Sequence, residues 1–177
     1  MPIHRLLKQL WREYIMGKLQ LILCALFLYS SLGNAQTTNA PAAPTGQAAD
    51  ISLIEILEAA SQLRNNGLAT NRLLEGGILS INVRHIQGAE TALQHGNITE
   101  VWVVREGLAV LSTGGTIVDR EAGAGPGDFR GSAIQGGFER TIKAGDLVYI
   151  PTGVPHGIKE TESIVYLNIR FELREPD

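Results

Sequence analysis

Alternating apolar and polar residues run through the second half of this 177-residue chain. In residues 165–173 every second side chain is apolar and those between are polar, as in a strand with one buried and one polar face. Other runs of strand type are separated by glycine-bearing turns, and they lie at residues 73–86, 100–105, 108–112, 116–119, 139–142 and 146–150. Several short strands with such regular turn signals predict an all-β sandwich or barrel.

A helix is predicted before the strands, over residues 51–67. Ser52 and Glu55 have the spacing of a capping box, and Asn66-Gly67 is typical of a helix end. The predicted apolar stripe consists of Leu53, Ile54, Leu57, Ala60 and Leu63. We expect this stripe to pack on the outer face of a barrel, with a partner subunit as the alternative.

The N-terminal residues 1–35 resemble a signal peptide. An apolar run of signal-peptide length ends in small residues at Ala35, which predicts cleavage after Ala35 and a periplasmic or secreted protein. A membrane anchor through an uncleaved segment is the alternative. Because Met16 begins a sequence typical of signal peptides, the natural start could be Met16 rather than Met1. The single cysteine, Cys24, lies within this segment, so the exported chain would contain no disulfide.

Residues 36–50 are rich in Pro, Ala and Thr without apolar periodicity, which predicts a flexible linker. The predicted organisation is therefore a signal peptide (1–35), a linker (36–50), a helix (51–67) and a β-barrel domain (68–177).

Charge narrows the choice of partners. Residues 1–35 hold four Lys or Arg and one Glu, so the remainder keeps 11 basic and 17 acidic residues, a formal net charge of −6. No basic cluster is visible in the sequence. Nucleic acid is therefore excluded as an expected partner, and so is an anionic membrane surface.

Two spaced groups of residues carry the candidate chemistry. The first is His95-x4-Glu100-x6-Gly107, and the second is Gly145-x5-Pro151-x-Gly153-x2-His156. Glu100 opens an apolar strand, a place where a carboxylate is seldom buried unless it is paired or binds a metal. Two histidines and one carboxylate at neighbouring strand ends suit a divalent first-row metal and leave positions open for substrate or water.

These motifs resemble those of the cupin superfamily, and the resemblance covers about residues 77–171. It implies a double-stranded β-helix, or jelly-roll barrel, with a metal held by His95, Glu100 and His156. Iron, manganese, zinc or nickel would each fit this set. The resemblance also implies a homodimer. The chain departs from the family pattern at two positions, where Leu93 stands for the usual first His and Glu160 for the usual final Asn.

His85 and Gln94 are further candidates around the missing ligand. Alternation in residues 78–86 places His85 on the same face as Leu79, Ile81 and Val83, opposite Ser80, Asn82 and Arg84. His85 could therefore be a third nitrogen ligand or a hydrogen-bonded core histidine. Gln94 is a weaker candidate beside the vacant position.

Trp102 and Tyr149 are predicted to wall the ligand pocket. Trp102 shares the parity of Glu100, which favours an inward direction for it over Tyr149. The glycine-rich segment 120–138 predicts a long irregular loop. This loop could bring Phe129, Arg130 and Gln135 to a ligand, or it could be a disordered surface loop.

Three functions are open from the sequence. The first is a metal-dependent enzyme acting on a small molecule, with oxygenase, isomerase and lyase chemistry unresolved. The second is a non-catalytic module that binds a small molecule or sugar, which the absent first histidine favours. The third is a structural barrel without metal.

Overall fold

The computed structural model describes residues 41–172. The predicted signal peptide, with the alternative starts Met1 and Met16, lies outside the described residues. Within 41–172, no helix has the length and apolar character needed to span a membrane.

The described residues form one helix followed by eleven strands. The helix, α1, comprises Leu53–Asn66. The strands are β1 (Thr70–Gly76), β2 (Leu79–Ile86), β3 (Ala92–Gln94), β4 (Ile98–Thr113), β5 (Thr116–Val118), β6 (Glu121–Ala122), β7 (Phe129–Gly131), β8 (Ala133–Gln135), β9 (Phe138–Lys143), β10 (Leu147–Ile150) and β11 (His156–Glu172). The all-β prediction with a short N-terminal helix is confirmed.

Two long strands, β4 and β11, form the centre of the barrel. They pair antiparallel from His156 opposite Thr113 to Glu172 opposite Ile98. At one end β2 and β1 extend the sheet beside β11, and β10 extends it beside β4. At the other end β3, β7 and β6 follow β11, while β9 follows β4. Strands β5 and β8 form a separate two-stranded sheet.

The predicted strand boundaries differ from the observed ones in two places. The run 73–86 is a hairpin, because Gly77-Ile78 turns the chain between β1 and β2. The runs 100–105 and 108–112 are one strand, β4, that continues through Gly107. Gly107 has φ 76°, and an added Cβ there would collide with the carbonyl of Ser163, so only glycine lets β4 and β11 approach at this point.

Helix α1 covers the outer face of β2 and β11. Ser52 caps the helix and forms the predicted capping box with Glu55, while Gly67 ends it in the left-handed conformation. The residues buried in this contact are Ile56, Ala59, Ala60, Leu63, Val83 and Val165. The outer-face packing of the helix is therefore observed.

The predicted apolar stripe of the helix was wrong at its first three positions. Leu53, Ile54 and Leu57 are 52%, 68% and 41% exposed. The buried stripe begins instead at Ile56, and successive helical residues point about 100° apart, so Leu57 faces away from the sheet.

The described part of the predicted linker is attached to the barrel. Ala43 N–H donates to the carbonyl of Glu75 at 2.9 Å, and Glu75 N–H donates to the carbonyl of Pro41 at 3.0 Å. Residues 41–43 are thus held along β1, because they satisfy backbone groups of an edge strand.

The glycine-rich segment 120–138 is more regular than predicted. It contains the short strands β6, β7 and β8, and β7 pairs with β3. Gly96 allows this approach, because a Cβ there would collide with the backbone at Pro126 and Gly127. The predicted irregular loop is therefore a small extension of the barrel wall.

The polar faces of β2 and β11 point into the barrel. Asn82, Tyr166 and Asn168 are 3%, 1% and 7% exposed. The alternation correctly separated two faces, but the apolar face lies under α1 and the polar face lines the interior. A second apolar core fills the remaining interior, including Leu111, Ile142, Val148, Ile158 and Ile164.

Candidate metal centre

His95, Glu100 and His156 come together inside the barrel. His95 follows β3, Glu100 lies near the start of β4, and His156 opens β11. The Nε2 atom of His95 lies 3.4 Å from Glu100 Oε1, and the Nε2 atom of His156 lies 3.5 Å from Glu100 Oε2. Ligand atoms of the three side chains all lie within 4.8 Å of one another. This group is the one set of metal-ligating side chains found among residues 41–172.

The ring of His156 is fixed by its backbone neighbour. Its Nδ1 lies 2.9 Å from the carbonyl of Val154. Because a carbonyl only accepts, Nδ1 carries the proton and the neutral ring has a lone pair on Nε2. Burial lowers the pKa of His156, although the Glu100 carboxylate and the Val154 carbonyl oppose this effect. The Nε2 atom is buried and has no hydrogen-bond partner in the described part of the chain.

Glu100 is the negative centre of the site. Its Oε2 accepts from Trp102 Nε1–H at 2.7 Å, and its Oε1 lies 3.1 Å from Arg170 Nε. Burial on its own would raise the pKa of this carboxyl. The interaction with His95 and the positive charge of Arg170 hold the pKa well below its ordinary value. Glu100 is therefore ionised at neutral pH.

His95 is 12% exposed and lies between two charged residues. Its Nδ1 is 3.6 Å from Asp128 Oδ1, and its Nε2 is 3.4 Å from Arg170 Nη2. Asp128 is held by the backbone N–H groups of Gly96 and Gly125, at 2.9 and 3.1 Å. The carboxylate of Asp128 thus faces the outer nitrogen of His95, where it can orient the ring.

The three residues open into a cavity of about 440 Å³. Aromatic rings form part of its wall, and Trp102 stacks on Tyr166 with ring centroids 4.4 Å apart. Burial, with the charge of Glu90, raises the pKa of Tyr166 and keeps its hydroxyl protonated. The charged residues that line the cavity are Arg72, Arg84, Arg130, Arg170, Glu90, Glu100 and Asp128.

Several of the residues predicted to wall the pocket line this cavity. Trp102 is 2% exposed, lines the cavity and donates to Glu100. Phe129 and Arg130 of the glycine-rich segment also line the cavity, and so does Leu93 at the position of the missing histidine.

His85 and Tyr149 are not brought to the site. His85 lies on the face covered by α1, and its Nε2 is 3.0 Å from Ser163 Oγ. Of the two roles considered for His85, a third metal ligand or a hydrogen-bonded core histidine, its position fits the second. Tyr149 is 62% exposed, because neighbouring residues of β10 alternate and Val148 and Ile150 take the inward positions. Gln94 and Gln135 do not line the cavity either.

Arg170, Asp128, Tyr166 and Asn168 were missed by the sequence reading. The alternation in β11 assigned Arg170 and Asn168 to the polar face, opposite the face predicted to be buried. In the register of β4 and β11, Arg170 lies opposite Glu100 and Asn168 lies opposite Trp102. Arg170 and Asn168 therefore share the interior face with Glu100 and Trp102. The signal that could have found Arg170 is its parity relative to Glu100 across this strand pair.

The residues present fit a divalent metal. The lone pair of His156 Nε2 and the ionised oxygen of Glu100 face each other at 3.5 Å, and two acceptors so placed repel unless a cation lies between them. Imidazole nitrogens with a carboxylate are a set that first-row metals prefer.

No protein-family model matches the chain, and no curated protein matches it. Among solved structures, the chain is similar to the protein BH2720 of Bacillus halodurans, with 16% identity and a TM-score of 0.50 over 76% of this chain and 89% of that one. It is also similar to a Klebsiella pneumoniae protein with a double-stranded beta-helix domain, with 17% identity and a TM-score of 0.48 over 71% and 91% of the two chains. A cupin protein of Bacteroides fragilis shares 12% identity, with a TM-score of 0.44 over 74% and 87%.

The antiparallel strand order, together with the similarity to BH2720, supports a jelly-roll fold of the double-stranded β-helix type. At identities this low the similarity is one of fold, and the function has to be argued from the site.

Proposed function

We propose that this protein binds one divalent metal through His95, Glu100 and His156 and acts on a small molecule that enters the adjoining cavity. The observation that carries the proposal is the buried Nε2 of His156, which has no hydrogen-bond partner in residues 41–172 and faces the carboxylate of Glu100. A buried polar atom without a partner is costly, and a metal ion would satisfy it.

The protonation states of the site support metal binding at neutral pH. A metal ligand must present a lone pair, so histidine has to be neutral and glutamate ionised. The pKa of His156 is lowered by burial, and the pKa of Glu100 is lowered by its charged neighbours. Both groups therefore bind a cation without first releasing a proton.

An enzyme is the first candidate for the kind of function. A bound metal would supply Lewis-acid polarisation of a substrate oxygen or activation of water or dioxygen. The protein itself contributes three ligands, the donor Trp102 behind Glu100, and a cavity wall with room for a small substrate. Three protein ligands leave coordination positions for that substrate.

A non-catalytic binding protein is the second candidate. Leu93 lines the cavity at the place where the cupin pattern has a histidine, so one ligand of the usual set is replaced by a side chain that cannot coordinate. A site of this kind could hold a metal-bound ligand without turnover. Measuring turnover of small-molecule substrates by the metal-loaded protein separates the two candidates.

Elemental analysis of the purified, untagged protein tests the proposal. We expect about one metal per chain, lost in the His95→Ala, His156→Ala double variant. His85→Ala is the matched control, because it removes a buried histidine that lies outside the site, and it should keep its metal. Absence of metal after reconstitution with Fe²⁺, Mn²⁺, Zn²⁺ and Ni²⁺, or equal metal in the double variant, would contradict the proposal.

Export and self-association are part of the same proposal. Their support is the signal-like sequence of residues 1–35 and the cupin fold. N-terminal sequencing of the mature protein should give Gln36, and light scattering should give the mass of a homodimer. An intact N-terminus at Met1 or Met16 would contradict cleavage.

A further inference from the structure

Each arginine that lines the cavity has a carboxylate partner, but one of these partners has a second role. Arg84 pairs with Glu90. Arg72 pairs with Glu75, and Arg130 pairs with Glu121. Arg170 pairs with Glu100, the carboxylate of the candidate metal centre.

Arg170 contacts the same atoms that a metal would use. Its Nε lies 3.1 Å from Glu100 Oε1, and its Nη2 lies 3.4 Å from His95 Nε2. The Nε atom is buried but lacks the alignment of a hydrogen bond to any described residue. The side chain lines the cavity and is 27% exposed as a whole. A cation at His95 and Glu100 would compensate the charge of Glu100 and leave the guanidinium without a full counter-charge.

The charge of the residues around the cavity also favours an anionic ligand. Four arginines and three carboxylates line the cavity, and with the ion-pair partners Glu75 and Glu121 their formal net charge is −1 with neutral histidines. A divalent metal would change this charge to +1. A guanidinium beside a metal in such a cavity is suited to an oxyanion, which it can contact with two parallel N–H groups.

We propose that the ligand of this cavity is a small organic anion, and that Arg170 binds its carboxylate or phosphate group once a metal has taken up the charge of Glu100. The inference rests on the proposed metal site. It makes metal and anion binding mutually favourable, because each partner compensates the charge that the other leaves exposed. By linkage, the anion must raise metal affinity by the same factor by which the metal raises anion affinity.

Calorimetric titration of the intact protein tests this coupling. The probes are succinate, benzoate and phenyl phosphate, each added to metal-free protein and to protein loaded with Mn²⁺ or Zn²⁺. Succinamide and benzamide, the neutral analogues, are the ligand controls. We expect at least one anion to bind the loaded protein about 10- to 100-fold more tightly than the metal-free protein, and the amides to bind neither form.

Arg170→Gln should separate two effects of opposite sign. Anion affinity of the loaded protein should fall about 10- to 100-fold, while metal affinity should rise about tenfold because a competing cation is gone. The anion affinity of Arg170→Lys should lie between those of the wild type and Arg170→Gln, since lysine keeps the charge without the planar guanidinium group. Arg64→Gln is the matched control, because Arg64 lies on α1 outside the cavity and pairs with the exposed Glu106. It should change either affinity less than about threefold.

The outcomes distinguish this inference from the metal site. A protein that binds metal but binds no anion of the panel, binds amides equally well, or responds equally to Arg170→Gln and Arg64→Gln overturns the role of Arg170 and leaves the metal site intact. A protein that binds no metal overturns both. A purely structural Arg170 would lower metal affinity together with thermal stability in Arg170→Gln, which also contradicts the proposal.

Discussion

His85 and His156 are buried to a similar extent, 5% and 2% exposed, but they lie on opposite faces of the barrel wall. His85 faces α1, where its Nε2 meets the hydroxyl of Ser163. His156 faces the interior, where its Nδ1 is held by a carbonyl and its Nε2 lies 3.5 Å from an acceptor oxygen of Glu100, with no hydrogen-bond partner among residues 41–172. Burial alone therefore does not identify a metal ligand. The two histidines differ in the group that Nε2 faces, which is a hydroxyl for His85 and an acceptor oxygen for His156.

The same contrast holds for the two faces of β2 and β11. The outer face carries Val83 and Val165, which pack on α1 and contribute to stability through burial of apolar surface. The inner face carries Asn82 and Asn168, which are buried but polar. If the two faces have separate roles, a change on one should affect stability and a change on the other should affect the site.

Leu63→Ala should have the largest effect on stability. Leu63 is 2% exposed in the contact of α1 with the outer face, so truncation leaves a cavity and should lower the free energy of unfolding by about 2–5 kcal/mol. Metal content should not change. Urea unfolding and elemental analysis measure the two quantities. Leu57→Ala on the exposed side of the same helix is the control, with an expected change of about 0.5 kcal/mol or less. Loss of metal in Leu63→Ala would break the separation of the two faces.

Trp102→Phe should have the next largest effect, on the inner face. The substitution keeps a ring against Tyr166 but removes the N–H that donates to Glu100 Oε2 at 2.7 Å. A donor behind a metal ligand fixes its orientation, so metal affinity should fall about 10- to 100-fold. Metal titration against a competing chelator measures this change.

Tyr166→Phe is the control for Trp102→Phe. It removes a buried polar group of the same wall, whose hydroxyl lies 3.5 Å from Glu90 rather than near Glu100. Metal affinity should therefore stay within about twofold. An equal loss in both variants would mean that the polar groups of this wall in general, and not the Trp102 donor in particular, support the site.

The contrast between the two faces explains how much could be predicted from the sequence. His95, Glu100 and His156 were found because motif spacing ties each to a strand end or turn. Trp102 followed from its parity with Glu100 on one strand.

The remaining errors arise because the alternation of residues along a strand does not contain all the information needed. Alternation separates the faces of a strand, but a barrel with a polar interior does not reveal which face is inside. His85 was therefore considered as a metal ligand and Arg170 was not, although Arg170 lines the interior cavity and His85 is buried on the face under α1. Asp128 depends on the approach of the glycine-rich segment to Gly96, which is a contact between residues 32 positions apart.

The smallest expected effect is a pH dependence of the stability of the metal-free protein, to which one histidine on each face contributes. Burial lowers the pKa of His156 and also of His85, where the charge of Arg64 adds to the effect. The unfolded chain takes up protons at these residues near pH 6.5, whereas the folded chain does so only at lower pH. The unfolded state therefore binds more protons in that window, and stability should fall as the pH decreases below about 6.5.

Metal should separate the two histidines. In protein treated with a chelator, His156→Gln and His85→Gln should each make the loss of stability between pH 7.5 and 5.5 smaller, and the two changes should add because the side chains share no partner. In metal-loaded protein the loss should be larger, since protons now compete with the metal for His156. His156→Gln should abolish this additional loss and His85→Gln should leave it unchanged. Urea unfolding at the two pH values, with and without metal, measures all four cases, and an additional loss that depends on His85 would mean that the outer face also binds the ion.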